Sequence, residues 1–161
     1  MFGDFEVAAS LDLADALTVP ASNLSATQTN ISGGKAATRI PTVLLVDDDL
    51  DSLLLLQHIL SQFVCEVVSR SDGHPALAYV RQTPPDLIML DIWLGDINGL
   101  DIVSVLKQSP ATQVIPIVAV TALARQSDRR TILQAGCAHY ISKPYLIEDM
   151  EALLRQYLRT N

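Results

Sequence analysis

At 161 residues and 49% apolar, the chain has ample side chain for a buried core and too much for an intrinsically disordered protein. Eleven Lys and Arg against 18 Asp and Glu leave a formal charge of −7, which argues against direct nucleic-acid binding, because phosphates need a positive surface. No run approaches the ~18 apolar residues of a membrane helix, and the N-terminus lacks the basic and apolar regions of a signal peptide. Cys65 and Cys137 show no metal-ligand or C-x-x-C spacing, so two reduced thiols in a cytoplasmic protein are expected.

Residues 1–41 are rich in Ala, Ser, Thr and Asn, with Gly33-Gly34 near the end and Pro41 as punctuation. They read as a flexible N-terminal extension, within which Phe5, Val7, Leu11, Leu13 and Leu17 could support a short amphipathic docking helix. From residue 42 to 160 the pattern alternates between short apolar runs and helical periodicity. Val43–Val46 reads as a buried parallel strand. A helix over Asp51–Phe63 follows, with Leu53, Leu56, Leu60 and Phe63 on one face. Glu66–Ser69 is a weaker strand. Asp72-Gly73 breaks the chain before a helix that runs to about Gln82, with Pro75 in its first turn. Leu87–Leu90 is the third strand, and Asn98-Gly99 closes the loop before a helix over Leu100–Lys107. Ile115–Val120 is the fourth strand, and Ser127–Gln134 a helix stopped by Gly136. Tyr140–Ser142 is the fifth strand, and Ile147, Met150, Leu154 and Tyr157 line the last helix.

Five βα units in succession predict an α/β fold: a doubly wound, five-stranded parallel sheet covered by helices on both faces. In the flavodoxin-like order 2-1-3-4-5, strands one and three are neighbours. A ligand then belongs in the crevice outside their carboxyl ends.

The polar residues that end the apolar strands fall on that edge. Asp47, Asp48 and Asp49 follow strand one, Asp91 strand three, Thr121 strand four and Lys143 strand five. Each alone has an ordinary use as a helix cap, a turn residue or a solvated charge. Their convergence is the signal. Several carboxylates in one crevice repel unless a cation sits among them, and an all-oxygen set suits Mg²⁺. One aspartate could then act as nucleophile toward a phosphoryl group, with Lys143 and the Thr121 hydroxyl donating to its oxygens.

Residues 42–160 resemble, end to end, the receiver domain of bacterial two-component response regulators (the CheY-like domain). The matching segments are Val43-Leu-Leu-Val-Asp-Asp-Asp49, Leu87-Ile-Met-Leu-Asp91, Asn98-Gly99, Ile117-Val-Ala-Val-Thr-Ala122 and Tyr140-Ile-Ser-Lys-Pro144. The separations fit too: 30 positions from Asp91 to Thr121 and 22 from Thr121 to Lys143. The resemblance implies that Asp91 is the phosphoacceptor and that Mg²⁺ or Mn²⁺ is held by Asp47, Asp48, Asp91 and the backbone carbonyl of Trp93. It implies that Lys143 binds the phosphoryl group, before a cis Lys143–Pro144 peptide, and that Thr121 and Tyr140 form a switch pair. Asp49, beyond the usual acidic pair, is expected to cap the first helix.

The resemblance further implies phosphate supplied by a sensor histidine kinase or a histidine phosphotransfer protein. Output would pass through protein contacts at helix four, strand five and helix five, with homodimerisation on phosphorylation as an option. No enzymatic activity beyond the chain's own phosphorylation and dephosphorylation is implied, and neither nucleic acid nor membrane is a partner. Arg125, Arg129 and Arg130 on that face read as solvated; His58, His74 and His139 read as surface or turn residues. Two departures from the family pattern carry expectations. Gly95 stands where the family usually has proline, which predicts a more mobile loop. Trp93 and Leu123 are bulky at positions that tune access of water to the acyl phosphate, which predicts slow autodephosphorylation. Asp47-x-Asp49, Thr121 and Lys143 also admit a haloacid-dehalogenase-like Mg²⁺-dependent phosphohydrolase with its nucleophile at Asp47. A receiver-like adaptor that works without phosphorylation is a further alternative.

Overall fold

The computed structural model describes residues 39–123 and 125–160. The expected extension therefore lies, up to residue 38, outside the described residues, as does its amphipathic segment. Residues 39–41 are tied to the domain that follows. Arg39 pairs with Asp86, and the Pro41 carbonyl accepts from the Glu66 amide at 2.8 Å.

In chain order the elements are β1 (Thr42–Val46), α1 (Leu50–Leu60), β2 (Glu66–Arg70), α2 (Gly73–Gln82), β3 (Leu87–Leu90), α3 (Gly99–Gln108), β4 (Ile117–Thr121), α4 (Gln126–Gln134), β5 (His139–Ser142) and α5 (Ile147–Leu154). The strands form one parallel sheet in the order β2-β1-β3-β4-β5, as expected. β1, β3 and β4 are buried along their whole length, and their sequences are accordingly continuous apolar runs.

Alternation along β1 divides the core into two layers. Leu44 and Val46 pack with Ala76, Val80, Ile102, Leu106 and Ile132, beneath α2, α3 and α4. Val43 and Leu45 pack with Leu53, Leu56, Ile59, Met150 and Leu154, beneath α1 and α5.

Several boundaries differ from expectation for local reasons. α1 stops at Leu60, and Phe63 beyond it pairs with Thr160 in an isolated bridge while its ring stays buried in the core cluster. β4 begins at Ile117 because Pro116 has no N–H to extend the ladder, although Ile115 remains buried. Gly73 opens α2 rather than breaking the chain before it. Gly136, at φ +112°, ends α4 as expected. No helix among the described residues is long and apolar enough to cross a membrane.

Candidate functional site

The parallel register brings the strand ends together. Val46 pairs with Leu90, and the Asp91 amide donates to the Val46 carbonyl at 2.8 Å, so Asp47 and Asp91 leave adjacent strands side by side. Thr121 pairs with Ser142, and the Lys143 amide donates to the Thr121 carbonyl at 2.9 Å, which delivers Lys143 to the same edge.

Lys143 spans the two aspartates. Its Nζ lies 2.6 Å from Asp47 Oδ2 and 2.9 Å from Asp91 Oδ2. Both carboxylates are buried, and their second oxygens are held by backbone amides. Asp47 Oδ1 accepts from the Asp49 amide at 3.0 Å, and Asp91 Oδ1 from the Trp93 amide at 3.0 Å. Asp48 is exposed. Ligand oxygens of Asp47, Asp48 and Asp91 lie within 4.8 Å of one another, a spacing that one small cation can bridge.

The electrostatics follow from this crowding. Burial pushes the Asp47 carboxyl above its usual range, against the pull of the Lys143 hydrogen bond and the Asp49 amide, and Asp91 adds like-charge repulsion. Burial alone would lower the Lys143 ammonium, but its hydrogen bonds to Asp47 and Asp91 outweigh that and raise it. One lysine thus neutralises part of a site that carries three carboxylates.

Asp49 turns outward and caps α1: its side chain accepts from the Asp51 amide at 3.1 Å and from the Ser52 hydroxyl at 2.8 Å. The Lys143–Pro144 peptide is cis. Thr121 is fully buried at the end of β4, with its hydroxyl at the limit of hydrogen-bonding distance, 3.5 Å, from the Leu123 amide. The Tyr140 hydroxyl donates to the Leu123 carbonyl, and its half-buried ring packs on the core. Thr121 and Tyr140 are therefore both tied to the backbone of Leu123. The Trp93 side chain is 59% exposed, whereas Leu123 packs against the core.

Asp96 was not legible as a site residue. Its carboxylate reaches across to the start of α2, accepting from the Gly73 amide at 2.8 Å and the His74 amide at 2.9 Å and lying 2.8 Å from His74 Nδ1. Positions 73 and 96 share no motif, so only the fold reveals the pair. The loop expected to be more mobile at Gly95 carries this anchor one residue later, at Asp96. These amides, His74 first, hold the Asp96 carboxyl well below its usual range. A depressed carboxyl contributes stability above its unfolded value and loses that contribution as pH falls toward its folded one. Asp96→Asn is therefore expected to lower the melting temperature by a constant amount above about pH 5. The gap should close as pH drops below the ordinary value of 3.8. Thermal melts across that range check it, and a gap that persists unchanged into acid refutes it.

The family model described as the response regulator receiver domain matches residues 43–155. The polar-differentiation response regulator DivK of Brucella anthropi is 33% identical over 117 residues, covering 73% of this chain and 95% of its own. Among solved structures, the phosphorylated cyanobacterial phytochrome response regulator RcpA is 26% identical with a TM-score of 0.66, covering 73% of this chain and 91% of its own. The Mn²⁺-bound form of response regulator Rcp1 is 25% identical with a TM-score of 0.64, covering 72% and 90%.

Proposed function

Because this chain belongs to the response regulator receiver domain family, a family of phosphoryl-accepting signalling switches, we propose that its acceptor is Asp91, loaded from a phosphohistidine. The haloacid-dehalogenase-like alternative finds no support in that family assignment. The observation that carries the reading is the Lys143 ammonium bonded at once to Asp47 and Asp91, with Asp48 completing a cluster of carboxylate oxygens.

Asp47, Asp48, Asp91 and the Trp93 carbonyl would hold Mg²⁺ or Mn²⁺; their hard, all-oxygen donor set fits either ion. Such an ion supplies charge neutralisation for the phosphoryl oxygens. An Asp91 carboxylate oxygen attacks phosphorus, the O–P bond forms, and the N–P bond of the donor breaks with its electron pair returning to the imidazole. Lys143 gives up its bond to Asp91 and donates to the phosphoryl oxygens. The Thr121 hydroxyl joins it by leaving the Leu123 amide. That movement and the Tyr140–Leu123 bond share one stretch of backbone, which supports Thr121 and Tyr140 as the switch pair.

Residues 42–160 form the receiver in this reading, and residues 1–41 an extension to it. The phosphate donor is a sensor histidine kinase or a histidine phosphotransfer protein. Output runs through a protein target, or a second copy of the chain, at the face of α4, β5 and α5. A hollow of about 410 Å³ there, lined by Arg129, Tyr140, Ile141, Pro144, Leu146 and Asp149, supports that assignment. The chain works in the cytoplasm and catalyses nothing beyond its own phosphorylation and dephosphorylation.

The test is incubation with acetyl phosphate and Mg²⁺, read by intact mass. One hydroxylamine-labile phosphoryl group per chain is expected, and none overturns the reading. Autodephosphorylation should be slow because large apolar groups obstruct in-line water. Trp93→Asn and Leu123→Asn, singly or together, should speed loss of the phosphoryl group by about tenfold, or ~1.4 kcal/mol in barrier. Trp93 should show the larger effect, since Leu123 is committed to the core. Decay no faster than wild type in all three variants refutes the shielding.

A further inference from the structure

Residues 92–98 connect Asp91 to α3 and pass beside the carboxylate cluster. A Cβ on Gly95 would sit 3.8 Å from Asp48 Oδ2. The sheet register sets the spacing of Asp47 and Asp91, and whatever fixes this loop fixes the place of the Trp93 carbonyl beside them. The loop is anchored at a point outside the carboxylate cluster. Asp72, at the N-cap of α2, makes no side-chain capping bond. The first amides of that helix are capped instead by Asp96, 22 and 23 positions later in the chain. His74 Nδ1 adds a third contact to the same carboxylate.

A second observation is independent of charge. Gly73 is buried, and a Cβ on it would overlap Ile97 and come within 2.7 Å of Ile102 Cδ1 and 3.2 Å of Leu94 Cδ1. The loop's apolar side chains thus close over the start of α2 while Asp96 bonds to its amides.

We propose that Asp96 is a positioning residue for phosphoryl transfer: by capping α2 from the β3–α3 loop, it holds that loop, and with it the Trp93 carbonyl, in place beside the Asp47–Asp48–Asp91 cluster for binding of a divalent ion. The inference rests on the phosphoacceptor reading above. It assigns this chain a latch made of Asp96, Gly73 and His74, none of which touches the reacting atoms. Loss of the latch loosens the metal site before it impairs the chemistry.

Trp93 is the chain's single tryptophan and lies two residues from Asp91, so its fluorescence serves as the probe of Mg²⁺ binding in the 161-residue chain. Asp96→Ala is expected to weaken Mg²⁺ binding by about tenfold, the lower end of the range for groups that support metal ligands. Its phosphorylation by acetyl phosphate should be slow at low Mg²⁺ and return to nearly the wild-type rate at saturating Mg²⁺. Asp96→Asn retains one carbonyl acceptor and should recover part of the affinity, and His74→Gln should show a smaller loss than Asp96→Ala.

Thr112→Val serves as the control for stability alone. It removes a buried hydrogen bond to the Leu106 carbonyl between α3 and β4, at the opposite edge of the sheet, and should leave Mg²⁺ affinity unchanged. Wild-type Mg²⁺ affinity in Asp96→Ala, or an equal loss in Thr112→Val, overturns the latch while leaving the acceptor reading standing. A wild-type protein that neither binds Mg²⁺ nor takes phosphate overturns both.

Discussion

Asp91→Asn should abolish acyl-phosphate formation, leaving intact mass unchanged after incubation with acetyl phosphate and Mg²⁺. The amide is nearly isosteric with the carboxylate, so the Trp93 amide keeps an acceptor and the loop keeps its place. What disappears is the nucleophile, because a neutral amide oxygen cannot form the O–P bond at a useful rate. The fold should survive, and its melting temperature at neutral pH should equal or exceed that of wild type. One of three mutually repelling carboxylates has gone, and Lys143 keeps its 2.6 Å partner in Asp47. Asp47→Asn is the companion variant: it should weaken Mg²⁺ binding while still allowing the acceptor to be loaded at high Mg²⁺. The reverse pattern, with phosphate lost from Asp47→Asn and kept by Asp91→Asn, would move the nucleophile to β1 and overturn the acceptor assignment.

Lys143→Met should cost both rate and stability. The ammonium is the one cation bonded to either buried carboxylate among the described residues, and it is oriented by both. Removing a donor aimed at developing phosphoryl charge typically slows a reaction by about 10²–10³, and the phosphorylation rate should fall by that order at saturating Mg²⁺. Breaking a buried ion pair by deleting one partner costs about 3–5 kcal/mol. Lys143 is 20% exposed along its side chain, which places the loss near the lower figure. Mg²⁺ should restore part of the stability, since a divalent ion supplies charge where the ammonium stood. Urea denaturation with and without Mg²⁺ measures one effect and timed mass spectra the other. A wild-type phosphorylation rate in Lys143→Met would remove the residue from the chemistry.

These two variants bear on residues that were legible in the sequence, and the reason is physical. A parallel sheet puts every strand's carboxyl end on one edge, so polar residues ending apolar runs at Asp47, Asp91 and Lys143 had to converge once the βα pattern was recognised. Asp49 was legible as a cap for a similar reason: an aspartate directly before a helix has nearby amides to accept from. The buried strands Val43–Val46 and Leu87–Leu90 were equally plain, because a strand covered on both faces must be apolar throughout. Boundaries were less plain. Ile115 belongs to the core but not to a strand, since burial follows side chains whereas pairing follows backbone amides, and Pro116 has none to offer.

The order of strands and helices, the two-sided burial of the sheet and the chemistry gathered at its edge could all be read along the chain. All of these depend on local periodicity or on which residue ends a strand. Only the folded chain reveals that Lys143 bridges Asp47 and Asp91, that Thr121 and Tyr140 converge on Leu123, and that Asp96 caps α2. Each of these is a contact between residues on different segments. Its geometry depends on how loops and helices close over the sheet, which no spacing along the chain encodes.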